Sequence, residues 1–212
     1  MQKDINQIIN DLKKMHGAPR CELIFSNPIE LLVATVLSAQ ATDQKVNEVT
    51  RTLFRKYRTW KDYLNVPVEE LEEDIRPTGF YRNKAKSIRN IAGEIEGRFE
   101  GRIPEDIDTF ATVKGIGRKS ASLIVGLAFG KPAIVVDTHV IRVSRRIGLT
   151  ENKDPDKIEQ DLRKGIPEAA WTDFSLLITL HGRYVCKAKK PECERCLIRE
   201  MCDYYKGGRK DV

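Results

Sequence analysis

Apolar residues recur at helical spacing along almost the whole chain, and that leaves little room for anything but an all-α fold. Ile5, Ile8, Ile9 and Leu12 follow the i, i+3, i+4, i+7 stripe of an amphipathic helix. Asn27-Pro28 reads as an N-cap followed by a first-turn proline, with Ile29, Leu32, Val33, Val36 and Leu37 as the stripe behind it. That helix should stop near Gln40–Thr42, because Asp43 reads as the N-cap of the next, which carries Val46, Val49 and Leu53. Val68, Leu71 and Ile75 predict a short helix closed by Pro77 and Gly79, and Ala85, Ile88, Ala92, Ile95 and Phe99 predict a longer one. A helix from about Arg118 to Phe129 follows the Gly115-Ile116-Gly117 turn. Asp137 is placed to cap a helix through Val140, Val143 and Ile147, and two more are expected near Ile158–Lys164 and Thr172–Arg183. Ala133-Ile134-Val135-Val136 is the one strand-like run, too short and isolated to build a sheet.

Apolar residues make up 41% of the 212, enough for a packed core. No apolar run approaches the roughly 18 residues of a transmembrane helix. The N-terminal segment is charged and amphipathic and lacks the apolar centre of a secretory signal. A cytoplasmic protein is therefore the expectation, and in that compartment clustered cysteines point to metal or nucleophilic chemistry before disulfides.

The charge is unevenly placed. Between Ala111 and Ile147 stand seven basic residues (Lys114, Arg118, Lys119, Lys131, Arg142, Arg145, Arg146) against the single acid Asp137. From Arg183 onward there are nine basic residues and five acids. Two such segments suit a polyanion, most often nucleic acid; the plainer alternative is a solvated basic surface.

Four of the five cysteines fall within seventeen residues, as Cys186-x6-Cys193-x2-Cys196-x5-Cys202. Zinc sites usually show paired knuckles, whereas a single C-x2-C flanked by longer arms suits a [4Fe–4S] cluster better; zinc stays open on spacing alone. The spacing is not that of a ferredoxin, so electron transfer is not the evident role. Such a group would serve first as a folding staple for a polar loop. Cys21 stands apart and reads as an ordinary buried thiol.

Val113-Lys114-Gly115-Ile116-Gly117-Arg118-Lys119 joins two helices through a glycine hairpin. It lacks the spacing of a nucleotide-binding P-loop. The helix behind it presents free N–H groups suited to a phosphate; the alternative is a purely structural turn. Lys119 lies in that helix's first turn, where the positive end of the helix dipole disfavours an ammonium. Partial burial would act the same way, and both effects favour a nucleophilic amine. The alternative for Lys119 is a solvated lysine that touches phosphate, and for Asp137 a simple N-cap.

Taken in order, these motifs can be matched to a family. Leu37-Ser38-Ala39-Gln40-Ala41-Thr42-Asp43, Gly115-x-Gly117-Arg118-Lys119, Val136-Asp137-Thr138-His139 and His181-Gly182-Arg183-Tyr184-x-Cys186 with the four-cysteine loop together resemble endonuclease III. That family comprises DNA glycosylases with abasic-site lyase activity in the helix-hairpin-helix superfamily, and the resemblance runs from about Ile5 to Cys202. It implies two helical domains with a cleft between them: residues 21–131 as a six-helix domain, and residues 1–20 plus 132–212 as a second domain carrying the cluster. It implies Lys119 as nucleophile, Asp137 as catalytic carboxylate, and Cys186, Cys193, Cys196 and Cys202 as ligands of [4Fe–4S]. Gln40, Phe80, Gly115, Gly117, Arg118 and His139 take DNA-binding positions, with Gln40 filling the gap left by a flipped nucleotide. Phe80 stands at the family's apolar wedge, commonly Leu. His139 and His181 are better suited to buried hydrogen bonds than to acid–base work. A monovalent cation on the hairpin carbonyls is also implied.

The expected partner is double-stranded DNA bearing an oxidised or ring-saturated pyrimidine or an abasic site, bound by a monomer. Rival expectations are a monofunctional mismatch glycosylase, which would lack the lysine at 119, a non-catalytic DNA-binding module, and an iron–sulfur electron carrier.

Overall fold

A computed structural model describes residues 3–207. These hold twelve α-helices and no strand. The helices are α1 (Ile5–His16), α2 (Pro28–Leu37), α3 (Asp43–Lys56), α4 (Trp60–Asn65), α5 (Val68–Ile75), α6 (Tyr81–Phe99), α7 (Ile107–Ala111), α8 (Arg118–Ala128), α9 (Thr138–Ile147), α10 (Pro155–Gly165), α11 (Trp171–Tyr184) and α12 (Asp203–Lys206). None of them is long and apolar enough to cross a membrane. Two compact units emerge: residues 21–130 form one, and residues 1–20 with 131–212 form the other.

The 21–130 unit gathers α2 to α8 around one core. Leu31, Leu37, Val46, Leu71, Ile75, Ile95, Phe110 and Ile124 are wholly buried there. Truncating such an aliphatic side chain to alanine typically costs ~2–5 kcal/mol. Helix α2 packs against α3, α6 and α8, and α4 and α5 lie along α6. The start of α3 corrects one expectation. Thr42, not Asp43, is the N-cap: its hydroxyl accepts from Lys45 N at 3.2 Å, and its extended backbone (φ −75°, ψ 147°) precedes the first helical residue. Asp43 instead occupies the first turn, where a carboxylate favours the helix dipole.

The second unit has its own core, with Ile8, Leu12, Val140, Val143, Ile158, Phe174, Leu177 and Ile178 wholly buried. Helix α11 packs against both α1 and α9. The strand-like run Ala133–Val136 is buried and extended but joins no sheet. Hydroxyls of α11 satisfy part of its backbone: Ala133 N donates to Thr172 Oγ1 at 3.2 Å and Val135 N to Ser175 Oγ at 3.0 Å.

Candidate active site and metal centre

The glycine hairpin is anchored by its own apolar residues. Val113 and Ile116 are buried, and Ile116 N donates to Val113 O at 2.9 Å. Gly115 turns the chain at φ +99°, a conformation that strains a side chain, and a Cβ there would also press on Ile91 Cγ1 at 3.4 Å. Gly117 is different. It caps α8 in ordinary extended backbone (φ −87°, ψ 163°), and a Cβ there would meet nothing within 4 Å. Nothing inside the protein requires glycine at 117, and its open side leaves room for another backbone to approach. Among the described residues no side chain caps α8, which leaves its first amides for an anion.

Lys119 is the second residue of α8 and is exposed, not partly buried as the sequence suggested. Water around its amine can therefore be removed only by what binds. Arg118, beside it, is half-buried and reaches Asp108 Oδ1 at 2.6 Å.

A cavity of about 380 Å³ in the same unit brings Gln40, Phe80 and Gly115 together, with Ile116, Ser120 and Lys84 among its other walls. Gln40 and Phe80 both adopt left-handed backbone, at φ 54° and 49°. For non-glycine residues this costs ~1–3 kcal/mol each, and such strain concentrates at functional sites. Gln40 is exposed in the break between α2 and α3. Phe80 is 60% exposed at the head of α6.

In the second unit Asp137 caps α9. Its Oδ1 accepts from His139 N at 2.8 Å and Val140 N at 2.7 Å, while its Oδ2 accepts from Thr179 Oγ1 at 3.3 Å. The half-buried His139 ring meets Arg142 Nη2 at 3.2 Å through Nδ1. Burial, then Arg142 and Arg183, holds this imidazole below its ordinary value against the opposing pull of Asp137. His139 rests on Gly182, where a Cβ would collide with the His139 Cβ at 2.7 Å. It thus buttresses the start of α9.

Cys186, Cys193, Cys196 and Cys202 line one small cavity. Burial pushes the Cys196 thiol up to about 12, and the neighbouring cysteine sulfurs add to the shift. Burial raises Cys202 likewise, against N–H donors of Tyr205 and Tyr204. Thiols as desolvated as those of Cys196 and Cys202 become thiolates only when a group carrying positive charge sits beside them. Four cysteine sulfurs lining one cavity, with main-chain donors directed at Cys196 and Cys202, are the ligand chemistry an iron–sulfur cluster takes.

Helix α9 also braces this loop. Arg142 Nε donates to Cys186 O at 3.2 Å and its Nη2 to Gly182 O at 2.9 Å. Arg146, 4% exposed, donates to Lys187 O at 2.8 Å and Ala188 O at 3.1 Å and stacks on Tyr204. His181 is buried, with its imidazole held down at about 3 by burial. It bridges His16 Nε2 at 3.0 Å and Cys196 Sγ at 3.5 Å.

Sequence reasoning missed Lys84, Thr179, Arg142 and Arg146. The signal was present for two of them: Lys84 and Arg146 interrupt the apolar stripes of their helices, where an unpaired charge has no place.

Comparison with known proteins adds the rest. Residues 33–168 match the model of the HhH-GPD superfamily base excision DNA repair protein. The chain is 44% identical over 201 residues to endonuclease III of Bacillus subtilis (strain 168), covering 94% of this chain and 92% of that protein. It is 37% identical over 198 residues to endonuclease III of Escherichia coli (strain K12), covering 93% and 94%. A solved trapped endonuclease III–DNA covalent intermediate superposes with a TM-score of 0.91 at 43% identity, covering 99% of both chains. A thermostable thymine-DNA glycosylase, with a TM-score of 0.86 at 23% identity, shares the fold.

Proposed function

The chain belongs to the endonuclease III family of the HhH-GPD base excision DNA repair superfamily, and we propose that it removes oxidised or ring-saturated pyrimidines from duplex DNA and cleaves the abasic site. The observation that carries this reading is the head of α8: an exposed lysine in the first turn, behind a glycine that the fold itself does not need. That a relative at 43% identity has been captured as a covalent intermediate with DNA supports a covalent route.

In this reading a damaged base leaves the stack, since its sugar carbon is out of reach inside a duplex. The Gly115–Gly117 backbone and the α8 amides grip a phosphate, with Arg118 beside them. Phe80 wedges the step, and Gln40 fills the vacated space. Lys119 Nζ attacks the anomeric carbon as the glycosidic bond breaks and the base departs with the bonding pair and a proton. Asp137 stabilises the positive charge that develops at that carbon and accepts the proton that the amine loses. The sugar ring opens to an iminium. Loss of a proton from the neighbouring carbon then expels the 3′ phosphate, and water hydrolyses the iminium to free Lys119. His139 enters as the buttress of α9, the helix that Asp137 caps.

Cys186, Cys193, Cys196 and Cys202 would hold a [4Fe–4S] cluster, which supplies no bond-making step here and fixes the loop and its basic residues. A monovalent cation would take hairpin backbone oxygens, the donors that alkali ions accept. The chain acts as a monomer in the cytoplasm, at the nucleoid.

The test is borohydride trapping on duplexes carrying one abasic site or one thymine glycol. The expected result is a covalent adduct for the wild type and none for Lys119→Gln, with DNA binding retained. An adduct formed equally by Lys119→Gln overturns the assignment.

A further inference from the structure

Lys84 is 4% exposed, and its ammonium donates to two main-chain carbonyls, Leu37 O and Thr78 O, each at 2.8 Å. Those carbonyls end two different helical segments. Leu37 is the last residue of α2, three before Gln40, and Thr78 closes the 3₁₀ turn Arg76–Thr78, two before Phe80. Gln40 and Phe80 share one cavity and one uncommon backbone conformation. A lysine on a core-facing position of α6 therefore ties together the roots of two strained segments that carry exposed side chains.

Nothing else about the position calls for a charge. Its neighbours in the stripe, Ala85 and Ile88, are apolar and buried, and burial lowers the Lys84 amine from its ordinary value. An aliphatic residue would fill the same place at less desolvation cost, but would leave two buried C-terminal carbonyls without a donor. The negative ends of two helical segments converge on the ammonium, which is where a cation is favoured. Thr78 is itself buried and fixed from the other side, its hydroxyl donating to Ile75 O at 2.8 Å.

We propose that Lys84 is the positioning residue for strand invasion: it sets Gln40 and Phe80 at a fixed separation so that wedge and filler enter the duplex as one unit. The inference rests on the functional reading above, which places both side chains in DNA. It makes Lys84 matter most when a stacked, paired base must be forced out. It matters least when the base is already missing and unstacking costs little.

The experiment uses the full chain and two duplexes, one with thymine glycol and one with a preformed abasic site, under single-turnover conditions. For Lys84→Met, excision of thymine glycol is expected to fall by ~10-fold or more, while cleavage of the abasic duplex falls by less than ~3-fold. The selective loss is expected to vanish in a Gln40→Ala, Phe80→Ala background, because the lysine then has nothing to position. Should Lys84→Met fail to fold, Lys84→Gln, with amide donors on a shorter arm, is scored by the same ratio. Equal slowing on both duplexes, or a selective loss that persists in the doubly substituted background, overturns the inference. A wild-type chain that cuts neither duplex overturns the functional reading and this inference with it.

Discussion

Asp137 is asked to be a helix cap and a reacting carboxylate, and its two oxygens allow these roles to be separated. Oδ1 accepts the two main-chain bonds at the head of α9, and Oδ2 accepts the longer bond from Thr179 at 3.3 Å. Asp137→Asn keeps an acceptor in the Oδ1 position and offers Thr179 an amide donor in the other. It loses only the attraction of a negative charge to the helix N-terminus, ~0.3–1 kcal/mol. Asp137→Ala removes the cap as well and should cost ~0.5–2 kcal/mol in all. Chemistry should rank the variants differently, because both lack the charge that stabilises the anomeric carbon. We expect base excision to fall more than ~10-fold in each, equivalent to ~1.4 kcal/mol or more of barrier. Urea denaturation read by far-ultraviolet circular dichroism gives the stability ranking, and single-turnover excision gives the rates. An Asn variant that excises at the wild-type rate reduces Asp137 to a cap. An Asn variant as unstable as the Ala variant shows that the hydrogen-bond division between the oxygens is wrong.

Further outcomes are expected from other parts of the molecule. Gly117→Ala should leave the denaturation midpoint unchanged within ~0.5 kcal/mol while weakening duplex binding measured by fluorescence anisotropy; full affinity would mean that nothing approaches that backbone. Gly115→Ala, by contrast, meets strained backbone at φ +99° and should lower stability measurably. Cys193→Ser should lower the iron and sulfide content of purified protein and make the 186–202 loop sensitive to proteolysis; unchanged iron would remove this cysteine from the ligand set. Main-chain donors of Arg58 and Thr59 hold the Asp62 carboxyl below the usual carboxylate range. Asp62 therefore contributes stability above its unfolded value near ~3.9, and that contribution is lost as pH falls through the lower folded value. Asp62→Asn should flatten the acid limb of the stability–pH curve, and an unaltered limb would refute the assignment.

Much of this was legible because helices announce themselves through spacing and caps. Asn27, Asp137 and the Gly115-Ile116-Gly117 turn stand where the sequence put them, since a cap or a positive φ depends on a few neighbouring residues. Thr42 was misjudged by one position because Thr and Asp are both competent caps, and only the backbone turn decides between them. Helices α4 and α7 escaped notice because five or six residues carry too little of an apolar stripe. For α4 a capping box was nevertheless present, with Thr59 and Asp62 satisfying each other's backbone. The pairing of Lys84 with Leu37 and Thr78 could not be read, since it reaches back 47 residues to one carbonyl and 6 to the other. Periodicity says which face is buried, not which carbonyls end there.

The departures from local rules carry the functional content. Lys84 in an apolar stripe, Gln40 and Phe80 in left-handed backbone and Gly117 with open space above it all oppose the optimum for a helical core, and these four stand in the 21–130 unit at one cavity and its hairpin. The other unit follows a different logic. There a single helix, α9, bears Asp137 at its head and Arg142 and Arg146 along its length, and both arginines hold main-chain carbonyls of the cysteine loop. A loop that would otherwise be too polar to order itself becomes a brace for the helix whose first residues present the carboxylate. In the function proposed above, a cluster held by that loop would govern activity without taking part in any bond-making step, by fixing the helix that Asp137 caps.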